Sequence, residues 1–302
     1  FDMGYLNSKS SPINIFENYK RINASVRTEK IWATNNTTYN WFNAVDFNTT
    51  IDGERVDPDN DYLLSDSYKS NISSYGLTNN LDIYFKKKNW FKSIEIKTKV
   101  NYQKNTIDQS KFIQASSATV LANSLISGSH ESQYLTPSYT SQLDIDGQPF
   151  TSQVKVMTKL VFNKSSFKQH ILLGAESNYS KNFGKGPQYD INFPTNIVDY
   201  YARPRAFSSI PGMHTLSLFA EDKINTSLGN HKFEAMIGAR AFAITSLDAK
   251  YDLANKVQID PRANVRWSLP RYTLSGKNLD ISFAGGIGIQ SKSPTLEYLN
   301  PT

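Results

Sequence analysis

The chain has 302 residues, 33 Lys plus Arg against 27 Asp plus Glu, 39% hydrophobic and 20% charged residues, which fits one large or two ordinary folded domains rather than a disordered polyelectrolyte. It has no cysteine, which removes disulfide frameworks, cysteine-ligated zinc and thiol catalysis. No run approaches the ~18 apolar residues of a spanning helix, so a helical membrane protein is excluded while a membrane β-barrel is not.

Period-two alternation over long runs dominates the chain and predicts ten strands, at 18–32, 38–49, 80–86, 92–102, 152–163, 167–180, 213–224, 232–245, 259–269 and 279–290. In 92–102, Ile94, Ile96, Thr98, Val100 and Tyr102 fall on one face and Ser93, Glu95, Lys97, Lys99 and Asn101 on the other. In 152–163 the apolar set is Val154, Val156, Leu160 and Phe162, against Lys155, Lys159 and Asn163. Short connections are predicted near 34–37, 87–91, 163–167, 226–231 and 270–278. Longer ones are predicted near 50–75, 104–151, 181–212 and 246–258, so the two kinds take turns.

Strands of this length exceed the usual ~5–6 residues of soluble sheets and suit tilted membrane strands of ~9–11 residues plus their ends. Short turns on one rim, long loops on the other and aromatics near strand ends (Tyr39, Trp41, Trp90, Tyr102, Phe162, Trp267) match an outer-membrane barrel. The competing reading is a soluble sheet with one wet face. The only helical candidate is the stretch 111–126, inside the longest loop.

Chemistry-bearing motifs are sparse. His130, His170, His214 and His231 show no metal-ligand spacing. The acidic run at Asp57–Asp61 has Tyr62 where a calcium loop needs Gly and Tyr68 where it needs Glu. Gly285-Gly286-Ile287-Gly288 precedes no helix, so it reads as a bend in a strand and not as a dinucleotide fingerprint. No nucleophile elbow or phosphate loop occurs and no paired carboxylates stand out, so neither an enzyme nor a cofactor is expected. The sequence pI of about 9.1 comes with no clustered basic face; the longest basic run, Lys86–Lys88, reads as a turn, and no nucleic-acid partner is expected. The 181–212 loop is the richest in contact chemistry. Tyr189, Tyr200, Tyr201, Arg203 and Arg205, on a Pro-stiffened backbone, are the candidate ligand-binding residues, offering aromatic planes and Arg forks for sugar, peptide or anion capture. The alternative is a loop packing on its own aromatics.

The last ninety residues carry a family resemblance. His214-Thr-Leu-Ser-Leu-Phe-Ala-Glu-Asp-Lys-Ile224, a short turn, then Phe233-Glu-Ala-Met-Ile-Gly-Ala-Arg240 resembles a hairpin of TonB-dependent outer-membrane receptors, which reads roughly Phe-Ala-(Gln/Glu)-Asp and then Gly-x-Arg. Ile259-Asp-Pro-Arg-Ala-Asn-Val-Arg-Trp267 looks like the family's Pro-Arg strand. The stretch from Ala284 to Pro301 is similar to the glycine-rich strand and Lys-x-Pro-Thr ending of SusC-like and carboxypeptidase-regulatory-domain receptors. The match covers about 214–301; earlier residues agree only in rhythm.

The resemblance implies an all-β fold of antiparallel up-and-down hairpins forming part of a transmembrane barrel in the outer membrane of a Gram-negative bacterium. Such barrels close with about 22 strands, and nothing here resembles the family's N-terminal plug, TonB box or terminal aromatic. Residues 1–302 are therefore expected to be a central piece of the barrel, with plug and barrel C-terminus absent. The implied function is energised nutrient uptake, with glycan or glycopeptide cargo first and siderophore or cobalamin next. The implied partners are the TonB complex acting through the plug, outer-membrane lipid and a surface lipoprotein. On the resemblance, Leu216 and Leu218 face lipid while Ser217, Glu221 and Arg240 face the lumen. The rivals are a passive porin and a soluble all-β binding or adhesion module; more than six Asn-x-Ser/Thr sites, such as Asn23 and Asn225, suit the latter but also arise by chance in so Asn/Ser/Thr-rich a chain.

Overall fold

Alternating residues that prefer pleated backbone need partners for strand N–H and C=O groups, and this chain finds them in its own neighbouring strands, except along the outer edges of Asp2–Ser8 and Ser282–Gly288, where the sheet stays open. The computed structural model describes all residues except 1, 9–16, 55–65, 88–89, 115–119, 123–131, 135–137, 165–166, 196–203, 249–250, 252, 255, 275–276 and 292–302. The strands are β1 (Asp2–Ser8), β2 (Glu17–Ala33), β3 (Thr37–Glu54), β4 (Ser67–Phe85), β5 (Phe91–Gln114), β6 (Val120–Ala122), β7 (Ser132–Tyr134), β8 (Ser138–Gly147) and β9 (Pro149–Lys164). They continue as β10 (Phe167–Asn182), β11 (Gly186–Gln188), β12 (Met213–Leu228), β13 (His231–Ile244), β14 (Gln258–Ser268), β15 (Tyr272–Leu274), β16 (Lys277–Leu279) and β17 (Ser282–Gly288). Among the described residues the one helical element is a 3-10 turn at Phe207–Ser209.

The main sheet is an antiparallel meander in the order β1-β2-β3-β4-β5-β9-β10-β12-β13-β14-β17, with β8 and β11 attached off this path. β5 explains the branch. Its first half pairs with β9, from Phe91↔Leu160 to Tyr102↔Phe150, and its second half with β8, from Asn105↔Gly147 to Gln114↔Ser138. β8 and β9 are thus one long strand interrupted at Gln148, whose N–H donates to Asn182 Oδ1 at 2.8 Å. Past Asn182 the chain kinks, and β11 pairs with β8.

The structure is all-β and antiparallel, and the predicted hairpins are present; several strands are longer than expected, while the strand predicted at 279–290 is confined to Ser282–Gly288. β4 starts at Ser67 rather than at 80, and β5 runs to Gln114 rather than 102, 24 residues or about 80 Å of strand. The helix expected over 111–126 is not formed where it is described. Lys111–Gln114 end β5, paired from Lys111↔Ser141, and Val120–Ala122 form β6; the rest of that stretch lies outside the described residues. Connections on one rim are tight, as at Gly229-Asn230, where Gly229 takes φ +58°. The turn expected at 270–278 is instead an added hairpin, β15–β16. On the opposite rim the described loops are longer.

Register makes the sheet two-faced. Val26, Val45, Leu77 and Val100 lie directly opposite one another across β2 to β5, and the row continues through Ser152, Tyr179 and His214. This face is apolar and uncovered: Val45 is 53% exposed, Leu218 66%, Ile237 63% and Ile287 81%. Two lines of aromatics border it. One runs Phe47, Tyr75, Tyr102, Phe150, Tyr179, His214, with neighbouring ring centroids 5.2–6.4 Å apart where they touch. The other runs from Trp32 and Tyr39 through Phe85, Phe91, Trp90 and Phe162 to Phe233, Trp267 and Phe283. Polar groups interrupt the band in two places: a row at Thr28, Asn43, Asn79 and Thr98, where the Asn79 amide donates to Asn43, and Asp222 of β12, whose carboxylate accepts from the Gln169 amide of β10 at 2.7 Å.

The other face carries the polar partners of the alternation and is the more enclosed. Ala44, Ser70, Ser93, Val161, Thr215, Ser217 and Phe242 are all buried there. A small separate core forms where the 245–257 connection folds back, with Ile244 and Leu247 packed by Met213, Tyr251 and Ala254.

Candidate functional site

Several strands contribute charges to the polar face, and register brings them together. On β10, Glu176 sits between Lys155 of β9 at 3.8 Å and Arg240 of β13 at 4.0 Å. Its carboxylate accepts hydrogen bonds from Gln153 at 3.0 Å and Asn178 at 2.6 Å. Arg240 also donates to the buried Ser217 hydroxyl at 3.0 Å, and Arg262 of β14 pairs with Glu221 of β12. The Phe219 ring lies between these groups, 5.0 Å from Lys155 Nζ. It fits because residue 174 is glycine: a Cβ there would lie 2.2 Å from the ring.

Lys155, Glu176, Phe219, Glu221, Arg240 and Arg262 line an open cavity of about 580 Å³. Fixed cations and anions alternating across such a wall suit a hydrated surface that offers hydrogen bonds to polyhydroxyl, peptide or ionic groups. Ser217, Glu221 and Arg240 share this face, and Leu216 and Leu218, 45% and 66% exposed, point the opposite way. Sequence reasoning left Lys155, Gln153, Glu176 and Arg262 unassigned. The available signal was a charge at alternate positions of successive strands; what was missing was register.

The aromatic and Arg-rich loop is placed only in part. Tyr200, Tyr201 and Arg203 lie outside the described residues. Tyr189 follows β11 directly and is half-buried, while the Arg205 side chain is exposed. The two limbs that carry them meet at Gly186 (φ +75°), where a Cβ would lie 2.1 Å from the Arg205 carbonyl oxygen. Gly184 is equally tight, against the backbone of Asp146, and its carbonyl accepts from Ser208 N–H at 2.9 Å. The loop then packs on the extended part of the sheet. Buried Tyr139 of β8 donates its hydroxyl to the Pro194 carbonyl at 2.8 Å and faces Phe193 at 5.7 Å. Burial pushes the Tyr139 phenol above its ordinary pKa, so it stays a neutral donor. The loop is therefore held by its glycines and by Tyr139, not only by aromatics packing on each other. The acidic run at 57–61 lies outside the described residues, and Gly285, Gly286 and Gly288 lie in β17, as a strand reading requires.

Compared with known proteins, the chain matches no family model, no curated protein and no solved structure.

Proposed function

We propose that this chain is a stretch of barrel wall from a TonB-dependent outer-membrane transporter, with its apolar face against lipid, its charged face toward the lumen and its long-loop rim at the cell surface. The observation that carries this reading is the uncovered apolar face between two aromatic lines. On β4 the lines are ten residues apart, Tyr75 to Phe85, or about 34 Å of strand. A strand tilted by about 40° turns that into a band about 26 Å tall, close to the ~25 Å apolar belt of outer-membrane barrels. In water the same face would be a contiguous apolar patch far beyond what soluble monomers expose.

The strand extensions beyond Tyr75 and Tyr102, together with the 183–212 loop, then stand above the membrane, where Tyr189, Tyr200, Tyr201, Arg203 and Arg205 meet cargo. Transport is assigned from the resemblance of residues 214–301, and glycan or glycopeptide cargo from the SusC-like ending. The TonB complex acts through a plug supplied by the rest of the protein. The charged lumen also suits a passive porin.

One experiment separates the readings: uptake of labelled oligosaccharide or glycopeptide by cells with the intact gene, with the gene deleted, and with TonB removed. Energised transport predicts loss of uptake in both deletions. A porin predicts uptake that survives TonB removal, and a protein recovered from the soluble fraction contradicts both.

A further inference from the structure

We propose that the polar face carries a seat for one neutral sugar ring, in a hollow on the long-loop side of the Glu176 cluster, where β5, β9, β10 and β12 run side by side. The inference goes beyond the transport reading, because it stands on the geometry of this face alone. The hollow follows from side-chain size. Thr151 of β9 and Ser180 of β10, directly opposite one another, form a short-chained floor. Longer side chains border it on both sides, Lys99 and Asn101 of β5 and Met213 of β12. The cavity is about 310 Å³, at the small end of single-ligand sites.

Its hydrogen-bonding groups are oriented by the Glu176 carboxylate. The Gln153 and Asn178 side chains, opposite one another on β9 and β10, both donate to the same Glu176 oxygen, at 3.0 and 2.6 Å. Glu176 is a carboxylate between two cations, Lys155 and Arg240, and a carboxylate only accepts. Both amides must therefore turn their NH2 groups to it. Their carbonyl oxygens are left for the hollow, which Gln153 and Asn178 line and Glu176 does not. On the next strand Lys99 stands opposite Gln153 in register, and it has no ion-pair partner among the described residues.

Two fixed acceptors beside one cationic donor select the ligand. A carboxylate or phosphate would set its own acceptors against the two amide oxygens, and an ammonium would meet Lys99. Neighbouring hydroxyls satisfy all three groups, since each hydroxyl donates to an amide oxygen and still accepts, here from Lys99. Asn101, Thr151 and Ser180 offer further partners to the same ring. Met213 supplies an apolar wall for the ring's C–H groups and is itself packed on Ile244 and Leu247. The ligand is a neutral polyhydroxyl ring, seated between the base of the 183–212 loop and the charged cavity.

The test is saturation-transfer NMR on the full-length protein in an amine-oxide detergent, with glucose, galactose, mannose and N-acetylglucosamine as probes and tetraglycine as the peptide counterpart. At least one sugar should receive saturation, and tetraglycine none. Lys99→Met, which leaves the Glu176 cluster intact, and Asn178→Ala should each weaken that sugar's binding about fivefold, one hydrogen bond's worth. Lys223→Met, on the same face but nearer the short-turn rim, should leave it unchanged. Transfer to none of the sugars, or sugar binding that neither Lys99→Met nor Asn178→Ala weakens, would overturn the seat. Tetraglycine binding that is lost in the same two variants would overturn the choice of ligand. Uptake that survives TonB removal would strike the transport reading and leave this site standing, which keeps the two failures apart.

Discussion

Replacing Leu218 by Arg sets lipid against water as the environment of the apolar face. Leu218 is 66% exposed in the sheet alone. If lipid covers that surface, the change forfeits about two-thirds of a Leu side chain's burial, roughly 1–2 kcal/mol. It also places a guanidinium within the apolar band, for a total of about 2–4 kcal/mol after snorkelling. The folded-to-unfolded ratio should fall by a factor of roughly 30 to 1,000. Leu228 provides the comparison, because it is 74% exposed but lies beyond Thr226, the residue that pairs with Phe167 and Phe233 of the lower aromatic line. Leu228→Arg should cost about 0–1 kcal/mol. Guanidinium unfolding of the full-length protein in lipid vesicles measures both. Water-exposed positions of similar accessibility would each respond within about 0.5 kcal/mol, so equal, near-zero effects at 218 and 228 would refute the lipid-facing assignment.

Glu176→Ala should destabilise by about 1–3 kcal/mol, discounted from the value for a fully buried pair because Lys155 and Arg240 are partly exposed; Glu176→Gln should retain part of the loss, and denaturant unfolding reads the difference. Gly186→Ala forces a Cβ against the Arg205 carbonyl at φ +75°, so limited proteolysis should cut the 183–212 loop faster than in the wild type, with cargo binding reduced in parallel. Beyond the lower aromatic line, the Asp280 carboxyl is held below the ordinary carboxylate range by its hydrogen bond from Arg271. The folded value is the lower one, so this pair's contribution is complete above the unfolded Asp value of ~3.9 and disappears as pH falls through the depressed value. NMR titration should show the Asp280 midpoint rising toward ~3.9 in Arg271→Ala.

Alternation was legible wherever one face meets an apolar environment and the other does not. The runs 92–102 and 152–163 therefore read directly as the halves of β5 and β9 that pair with each other. The Ser67–Asn79 part of β4, rich in Ser and Asn, carries little period-two contrast and stayed outside the predicted strand, with 67–75 read as loop, although it pairs residue for residue with β5. β8 and the upper part of β5 were lost in the same way. The helix expected over 111–126 rested on small apolar residues, and pairing with β8 claimed its first turn for the sheet. At the site, Ser217, Glu221 and Arg240 were separable from Leu216 and Leu218 by parity alone. The Glu176 cluster joins three strands, and no periodicity within one strand reports which residues of its neighbours stand opposite. Gly184 and Gly186 were visible as loop glycines, but their purpose, a close approach to the Asp146 and Arg205 backbones, exists only in three dimensions.

Residues 1–302 contain no cysteine, so single-cysteine scanning of β12, residues 214–226, with any cysteine elsewhere in the full-length protein replaced by serine, is the most direct test of the central claim. Each variant of the full-length protein would be spin-labelled in lipid vesicles and its accessibility to oxygen compared with that to a water-soluble nickel chelate. The account predicts alternation: Leu216, Leu218, Ala220, Asp222 and Ile224 positions relaxed by oxygen and shielded from nickel, Ser217, Phe219, Glu221 and Lys223 positions reached by nickel. Nickel access to the Leu216 and Leu218 positions equal to that at Ser217 and Glu221 would contradict it.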